Sequence, residues 1–423
     1  MSFARERQRT IYSSGMSGLL PRVPVDYDRL RAAARRVLSA EAFAYIEGGA
    51  GHEQTLDQNR EAFRRLRVIP RMLAGVERVN TSVTLFSQQL PAPFLMAPIG
   101  VLELAHAQAD RAVAGAAAGQ GILMVFSNQA SVSMEECAAV MGQAPRYFQL
   151  YWSKNNDLVA SLVTRAEAAG CSAIVVTLDT TLLGWRPRDL DLGYLPFLRG
   201  MGIAQYTSDP VFQRMVNDPT LLGEPAARPR LRVTTLKNLV SLLRRYPGGF
   251  FENLTSGRAL RGVQTFIHTY SRPSLSWEDL PFLRSVTRLP ILLKGILHPD
   301  DARRAVDSGV DGIIVSNHGG RQIDGALPAI EALPNVVSAV GPDLPILLDS
   351  GIRGGADAFK ALALGATAVL IGRPYVYALA IAGQQGVDEL LAHYRAEFEL
   401  TMALAGCSHI GDIHSDFLRS GPL

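Results

Sequence analysis

Eight short apolar runs recur along this chain, and each ends in glycine or polar residues. They are FLMAPIG (94–100), ILMVFSN (122–128), YFQLYW (147–152), AIVVTLDT (173–180), ILLKG (291–295), GIIVSNHG (312–319), PILLDSG (345–351) and AVLIGRP (368–374). Runs of this length that are apolar on both faces suit parallel strands covered by helices. Helical patterns lie between most of them. The segment HPDDARRAVDSGVDG has Asp at its start, apolar positions at helical spacing and Gly309 as its stop. Eight strand–helix units predict an α/β fold, a (β/α)8 TIM barrel. A doubly wound sheet is the structural alternative, but no run is followed by a GxGxxG turn. About 90 residues before the first run form an N-terminal helical segment, and about 45 after the last form a C-terminal one. Residues 1–423 read as a single domain. Within it, residues 181–290 form a long insertion after the fourth strand, about 110 residues where a helix and two loops need far fewer. Its Pro, Gly and Arg clusters (GYLPFLRGMG, GEPAARPRLR, YPGGFF) predict an active-site lid or a partly mobile insertion.

A chain that is 48% hydrophobic and 19% charged can bury the core such a barrel needs. A formal net charge of +3 over 423 residues gives no footprint for nucleic acid or another polyanion. Cys137, Cys171 and Cys407 show no CxxC or metal spacing and read as reduced thiols in an intracellular protein. The two histidines of HIGDIH lack a partner set for zinc, so no metal site is expected. No apolar run reaches ~18 residues, so neither a membrane span nor a membrane partner is expected. The opening MSFARERQRTIYSS has no apolar core, Glu6 counts against a transit peptide, and the final GPL is not a peroxisomal tripeptide. The expected location is the cytoplasm.

In a barrel of this kind the chemistry sits where strands end. The residues to collect are therefore Pro98, Ile99, Gly100, Ser127, Asn128, Gln149, Tyr151, Thr177, Asp179, Lys294, Ser316, Asn317, His318, Asp349, Gly351, Gly372 and Arg373. A lone strand-end Ser or Gln is more often a loop hydrogen bond than a ligand. Together they place a lysine, a histidine and arginines at one mouth, which a core does not need. DSGIRGG and IGRP supply glycine backbone and the guanidiniums of Arg353 and Arg373, a phosphate cradle after strands seven and eight. The other ends offer amide, hydroxyl and ammonium groups for the edge of a planar polar heterocycle, with Lys294 suited to a ring that becomes anionic on reduction. A phosphate with such a ring points to flavin mononucleotide (FMN). His318 can act as a base with Asp179 on its other nitrogen, while Arg186 and Arg321 can grip a carboxylate. Tyr45 and Tyr151 can bind a hydroxyl. The competing interpretation of NHGGR is a strand-end turn carrying surface residues.

At these residues the sequence resembles the FMN-dependent 2-hydroxy acid oxidase family, through SNHGGRQ, FQLY, LKGI, TLDT, DSGIR and IGRP, from about Ala44 to His409. The resemblance implies that Pro98, Ile99, Gly100, Ser127, Gln149, Thr177 and Lys294 contact the flavin ring. Asp349, Gly351, Arg353, Gly372 and Arg373 match phosphate contacts, and Ser316 a position near the ribityl chain. Tyr45, Tyr151, Arg186, His318 and Arg321 match the substrate-binding and catalytic set, with Asp179 as the histidine's partner. GWRPRDL, FLRG and DPVFQ look most like the lactate 2-monooxygenase branch. Oxidation of a small, lactate-like (S)-2-hydroxy acid with oxygen as acceptor is implied, with oxidative decarboxylation as a further step. The alternatives are an oxidase releasing keto acid and hydrogen peroxide, or a dehydrogenase using a quinone or other acceptor. A homo-oligomer, a tetramer or a multiple of it, is implied as well. Gln129 and Gly100 depart from the glycolate oxidase pattern of Trp and Ala, and point away from glycolate. Gly100, with no side chain, is expected to leave room for oxygen beside a bound keto acid.

Overall fold

A computed structural model describes residues 2–218, 232–342 and 344–421. Eight parallel strands close on themselves: β1 Phe94–Met96, β2 Leu123–Phe126, β3 Arg146–Leu150, β4 Ile174–Thr177, β5 Ile291–Ile296, β6 Gly312–Val315, β7 Ile346–Leu348 and β8 Ala368–Ile371. The barrel is completed where β8 pairs with β1, Val369 opposite Phe94 and Ile371 opposite Met96. The expected TIM barrel is therefore the fold.

The runs look uniformly apolar, yet the pleat sorts them with a period of two. Leu95, Val125, Tyr147, Val175, Leu292, Ile314, Leu347 and Leu370, one from each strand, belong to a single buried cluster, which fills the barrel. Their neighbours, such as Phe94, Met96, Met124, Phe148 and Ile313, belong to the larger cluster shared with the surrounding helices. A hairpin, Val83–Leu85 paired with Gln88–Leu90, adds Leu85 and Leu90 to the interior cluster. Its Phe86 ring lies 6.3 Å from that of Tyr147 near the start of β3, so the hairpin plugs the N-terminal end. The expected purely helical opening of the chain is corrected here.

The opening otherwise consists of helices Phe3–Gly15, Tyr27–Val37, Ala40–Glu47 and Gln54–Arg65. Ser2, Asp26 and Ser39 cap the first three by accepting backbone N–H groups. Strand Leu66–Val68 then pairs antiparallel with Leu418–Ser420, joining the two ends of the chain. The helix read from HPDDARRAVDSGVDG spans Pro299–Asp307; its cap is the His298 side chain, with Asp300 and Asp301 in the first turn.

The insertion is far more helical than its Pro and Gly content suggests. It holds Pro187–Asp191, Ala204–Thr207, Pro210–Asn217, Val233–Arg245, Phe250–Ser256 and Arg258–Thr269 before Leu280–Val286 leads into β5. Asp209 shows how one motif works: its buried carboxylate accepts from Val211 N (2.8 Å) and Phe212 N (3.2 Å) to cap the helix that Pro210 starts. Arg165 pairs with the same carboxylate at 3.0 Å. Phe212, Met215, Leu242, Leu243 and Phe266 are buried in the outer core cluster, so much of the insertion is packed wall. Most of GEPAARPRLR lies outside the described residues. Among the described residues no helix is long and apolar enough to cross a membrane. All three cysteines are buried and unpaired.

Candidate active site

The inward rows continue past the apolar filling by one more residue. Two positions beyond Val125, Tyr147, Val175, Leu292, Ile314, Leu347 and Leu370 stand Ser127, Gln149, Thr177, Lys294, Ser316, Asp349 and Gly372. The pleat that puts leucine and valine inside therefore puts this polar layer on the floor of the C-terminal mouth. One cavity lies above it, lined by Pro98, Ile99, Gly100, Thr177, Lys294, Asp349, Gly351, Arg353, Gly372 and Arg373, and by Tyr45, Tyr151, Arg186, His318 and Arg321. Ser127, Gln149, Ser316 and Asp179 stand directly behind that lining. Ser127 Oγ accepts from Gln129 N (3.1 Å), and Gln149 Oε1 accepts from Asn128 N (3.1 Å). Ser316 Oγ accepts from Lys294 Nζ (2.8 Å) and from His318 N (3.0 Å).

His318 leaves the end of β6 in a left-handed conformation (φ 57°), followed by Gly319 (64°) and Gly320 (74°). The glycines are required: a Cβ on Gly320 would sit 2.6 Å from Leu56 N, and one on Gly319 would sit 2.8 Å from Arg373 Nη1. The turn brings His318 Nδ1 to 2.7 Å from Asp179 Oδ1 and 3.1 Å from Thr180 Oγ1. Burial pushes the imidazole below its ordinary pKa, outweighing the opposing pull of Asp179. Burial alone would raise Asp179, but His318 and Lys294 hold it below the usual carboxylate range. An ionised Asp179 takes the Nδ1 proton, which leaves the Nε2 lone pair of a neutral ring free to accept another. Lys294 is the mirror case: burial opposes its charge, and Asp349 (3.0 Å) with Asp179 raises its pKa nonetheless.

Three guanidiniums surround the same space, and carbonyl or amide oxygens hold all of them. Arg186 donates to Arg321 O and to Gln322 Oε1, both at 3.2 Å. Arg321 Nη1 donates to Tyr45 O and Gly48 O, both at 2.7 Å. Arg373 donates to Ile46 O, Gly319 O and Gly48 O. Burial, then Arg186 and Arg373, pushes Arg321 down to about 9. Among the described residues none of the three guanidiniums has a carboxylate salt-bridge partner, so the cluster is a strong attraction for an anion.

Three further groups test whether a flavin suits these residues. Gln149 Nε2 and Thr177 Oγ1 are buried at the cavity floor with no hydrogen-bond partner among the described residues, and Thr177 pairs in register with Lys294. An amide donor, a hydroxyl and a cation match the polar edge of an isoalloxazine. Arg353 Nε is also buried without a partner, while the residue's guanidinium stacks 4.7 Å from the centroid of the Tyr27 ring. With Arg373 it offers the charge a phosphate needs. FMN fits.

Several participants lie outside the set expected from sequence. Thr180 ends the fourth run and touches both members of the His318–Asp179 pair. Gln322, the last residue of SNHGGRQ, donates Nε2 to Asp179 O (2.6 Å) and Leu182 O (2.9 Å). The insertion contributes Leu183, Phe197 and Tyr270 to the lining. Phe197 opens the FLRG stretch but is not itself singled out by it, and nothing in the sequence around Tyr270 marks it. The expectation of open space at Gly100 is overturned: a Cβ there would meet Gln129 O at 2.8 Å and Gln129 Cβ at 2.9 Å, so the Gln129 loop already fills that side.

A closed parallel barrel with a histidine–carboxylate pair, a buried lysine and unpaired arginines at its C-terminal mouth is the framework of a flavin oxidoreductase. Residues 34–420 match the FMN-dependent dehydrogenase family model. The chain belongs to that family, whose cofactor is FMN, and is an FMN-dependent 2-hydroxy acid oxidoreductase. It is 41% identical to L-lactate oxidase of Lysinibacillus sphaericus (strain C3-41), across 92% of this chain and 90% of that one. It is 39% identical to 4-hydroxymandelate oxidase of Amycolatopsis orientalis, across 90% of this chain and 94% of that one. The crystal structure of mandelate oxidase with (S)-4-hydroxymandelic acid superposes with a TM-score of 0.78 at 38% identity, covering 95% of this chain and all of that one.

Proposed function

We propose that the protein oxidises a small, lactate-like (S)-2-hydroxy acid and passes the electrons to oxygen. The observation that carries this reading is His318, backed by Asp179, facing the same cavity as Arg186 and Arg321, which among the described residues have no carboxylate partner. Arg186 and Arg321 bind the substrate carboxylate, and the hydroxyls of Tyr45 and Tyr151 orient the 2-hydroxyl. His318 takes the substrate proton at Nε2, and Asp179 and Thr180 steady the imidazolium through Nδ1. FMN, when bound, supplies the two-electron acceptor for the substrate and returns those electrons to oxygen. Gln149, Thr177 and Lys294 hold its heterocycle, with Pro98, Ile99, Gly100 and Ser127 around it. Ser316 stands near its chain, and Asp349, Gly351, Arg353, Gly372 and Arg373 hold its phosphate end.

A second product outcome has its own support. Leu183, Phe197 and Tyr270 wall the cavity from the insertion, so these described parts of it act as a roof within the single domain and retain the keto acid. Retained beside hydrogen peroxide, pyruvate loses CO2 and leaves as acetate and water. Escaping first, it leaves as pyruvate.

The test is to purify the protein and mix it anaerobically with L-lactate. A yellow protein with one FMN per chain that bleaches with lactate is expected. A colourless protein that cannot be loaded with FMN would sink the reading. Carbon-product analysis under air then separates acetate from pyruvate.

A further inference from the structure

The C-terminal end of helix Ala40–Glu47 carries a carboxylate that neither the histidine pair nor the arginine cluster uses. Glu47 is buried, and it lies between Ile46 and Gly48, whose carbonyls both accept from Arg373. Tyr377 stands four residues after Arg373 in the helix Arg373–Ala405, so the two side chains share a face. A buried carboxylate beside a guanidinium ordinarily pairs with it. Here both of its oxygens are already occupied. Glu47 Oε1 accepts from Arg31 Nε at 2.6 Å, and Oε2 accepts from the Tyr377 hydroxyl. The Tyr377 ring is held in turn by Tyr27 and Phe43, whose centroids lie 6.3 and 6.4 Å away. Arg373 meanwhile donates to the carbonyls of Ile46, Gly319 and Gly48. A guanidinium has more N–H groups than those, and the rest stay open. Burial lowers the Arg373 pKa, and Glu47 is among the groups that oppose this, so the carboxylate is within electrostatic reach.

We infer that Arg31 and Tyr377 are positioning residues for the cofactor: by occupying both oxygens of Glu47 they keep that carboxylate off Arg373 and leave the guanidinium open for the FMN phosphate. The inference rests on the reading of Arg373 as a phosphate ligand. Released by either partner, Glu47 turns to Arg373, and the phosphate must then displace a group of like charge. The apparent affinity is the intrinsic one scaled by the fraction of molecules with Arg373 open, so a guanidinium closed about nine-tenths of the time binds FMN roughly tenfold more weakly. Riboflavin has no phosphate and is indifferent to this. The competing role for Glu47 is a structural tie between the N-terminal helices and the helix Arg373–Ala405. The two roles differ in one respect: a broken tie is not mended by deleting its other half, whereas a competitor's effect vanishes with the competitor.

The full chain, stripped of flavin, is titrated by equilibrium dialysis with FMN and with riboflavin. Tyr377→Phe leaves the net charge unchanged and keeps the packed ring; it should lose roughly tenfold in FMN affinity and nothing in riboflavin affinity. Arg31→Gln, at a partly exposed position, should show the same selective loss. Glu47→Gln should change FMN affinity little in the wild-type background and restore it in the Tyr377→Phe background, a non-additive pair. Unchanged FMN affinity in Tyr377→Phe, an equal loss for both flavins, no rescue in the double variant, or the same gain from Glu47→Gln in both backgrounds would overturn the inference. Arg373→Ala separates the two levels of the argument. It should narrow the gap between FMN and riboflavin affinity. If it does not, Arg373 is no phosphate ligand and the inference falls with that reading; if it does while Tyr377→Phe changes nothing, the inference alone falls.

Discussion

The imidazole of His318 sits between opposing influences, and their balance sets a pH dependence. Burial lowers its pKa from the ordinary 6.5 more than Asp179 raises it. A base works in its neutral form, so kcat/KM for lactate should be flat through neutral pH and fall only below 6.5, as the folded-state pKa is crossed. Asp179→Asn removes the raising influence, so that acid limb should move to still lower pH. The maximal rate should fall as well, because the ring is then a weaker and less firmly held base. His318→Ala should slow anaerobic flavin reduction by ~10²–10⁴ while the protein stays yellow; near-normal reduction would make the histidine a turn residue. Arg186→Lys keeps the charge and loses the planar fork, so inhibition by oxalate should weaken about tenfold. An unchanged inhibition constant would move the carboxylate site elsewhere. His318 and Asp179 were legible because each stands two positions beyond an inward strand-end residue, whereas Arg186 and Arg321 were legible only through the GWRPRDL and SNHGGRQ stretches that carry them. Thr180 was less so, since a threonine at a strand end has many uses.

Among elements, the loop after β2 is where packing overrules a reading of single residues. Gly100 stood out as a gap beside the cofactor, but what matters there is its partner in the neighbouring loop, Gln129, whose carbonyl also accepts from Val101 N at 2.9 Å. Gly100→Ala should therefore push the Gln129 loop and weaken FMN retention, slowing both half-reactions. A selective loss of the oxygen half-reaction in stopped-flow mixing would contradict this. The same loop is tied down by Asp110, whose buried Oδ2 accepts from Ser131 N (2.9 Å) and Val132 N (3.1 Å). Burial pushes Asp110 up to about 7, so the folded state holds a proton that the unfolded chain, near 3.8, has released. Stability from this group is therefore greatest at low pH within that window and is lost as pH rises toward 7. Asp110→Asn should flatten the fall in melting temperature between pH 5 and 8 by comparison with wild type. The insertion and the bottom hairpin were the least legible elements. Their short segments, punctuated by Pro and Gly, take their order from contacts far away in sequence, and periodicity carries no record of those.

For the whole molecule, the two ends of the chain are fastened together outside the barrel. Ile69 N donates to Phe417 O at 2.7 Å, and the buried Phe417 ring packs edge-on against Phe359 at 6.0 Å. Phe417→Ala should cost about 3–5 kcal/mol of stability, seen as a lower melting temperature by calorimetry. KM for lactate at room temperature should stay unchanged, because the site is held by the barrel and not by this seam. The hairpin at the opposite end of the barrel has a different consequence. With Leu85 and Leu90 in the interior and apolar layers above them, the N-terminal end of the barrel is closed, and the cavity lies at the C-terminal mouth. In the proposed reaction, acid entering, keto acid leaving and oxygen arriving would share that mouth, so the enzyme would work under a queueing rule. How long the first product lingers relative to the wait for the next oxygen molecule decides what finally walks out. Raising the oxygen tension should thus shift the ratio of acetate to pyruvate even with every residue of the site left as it is.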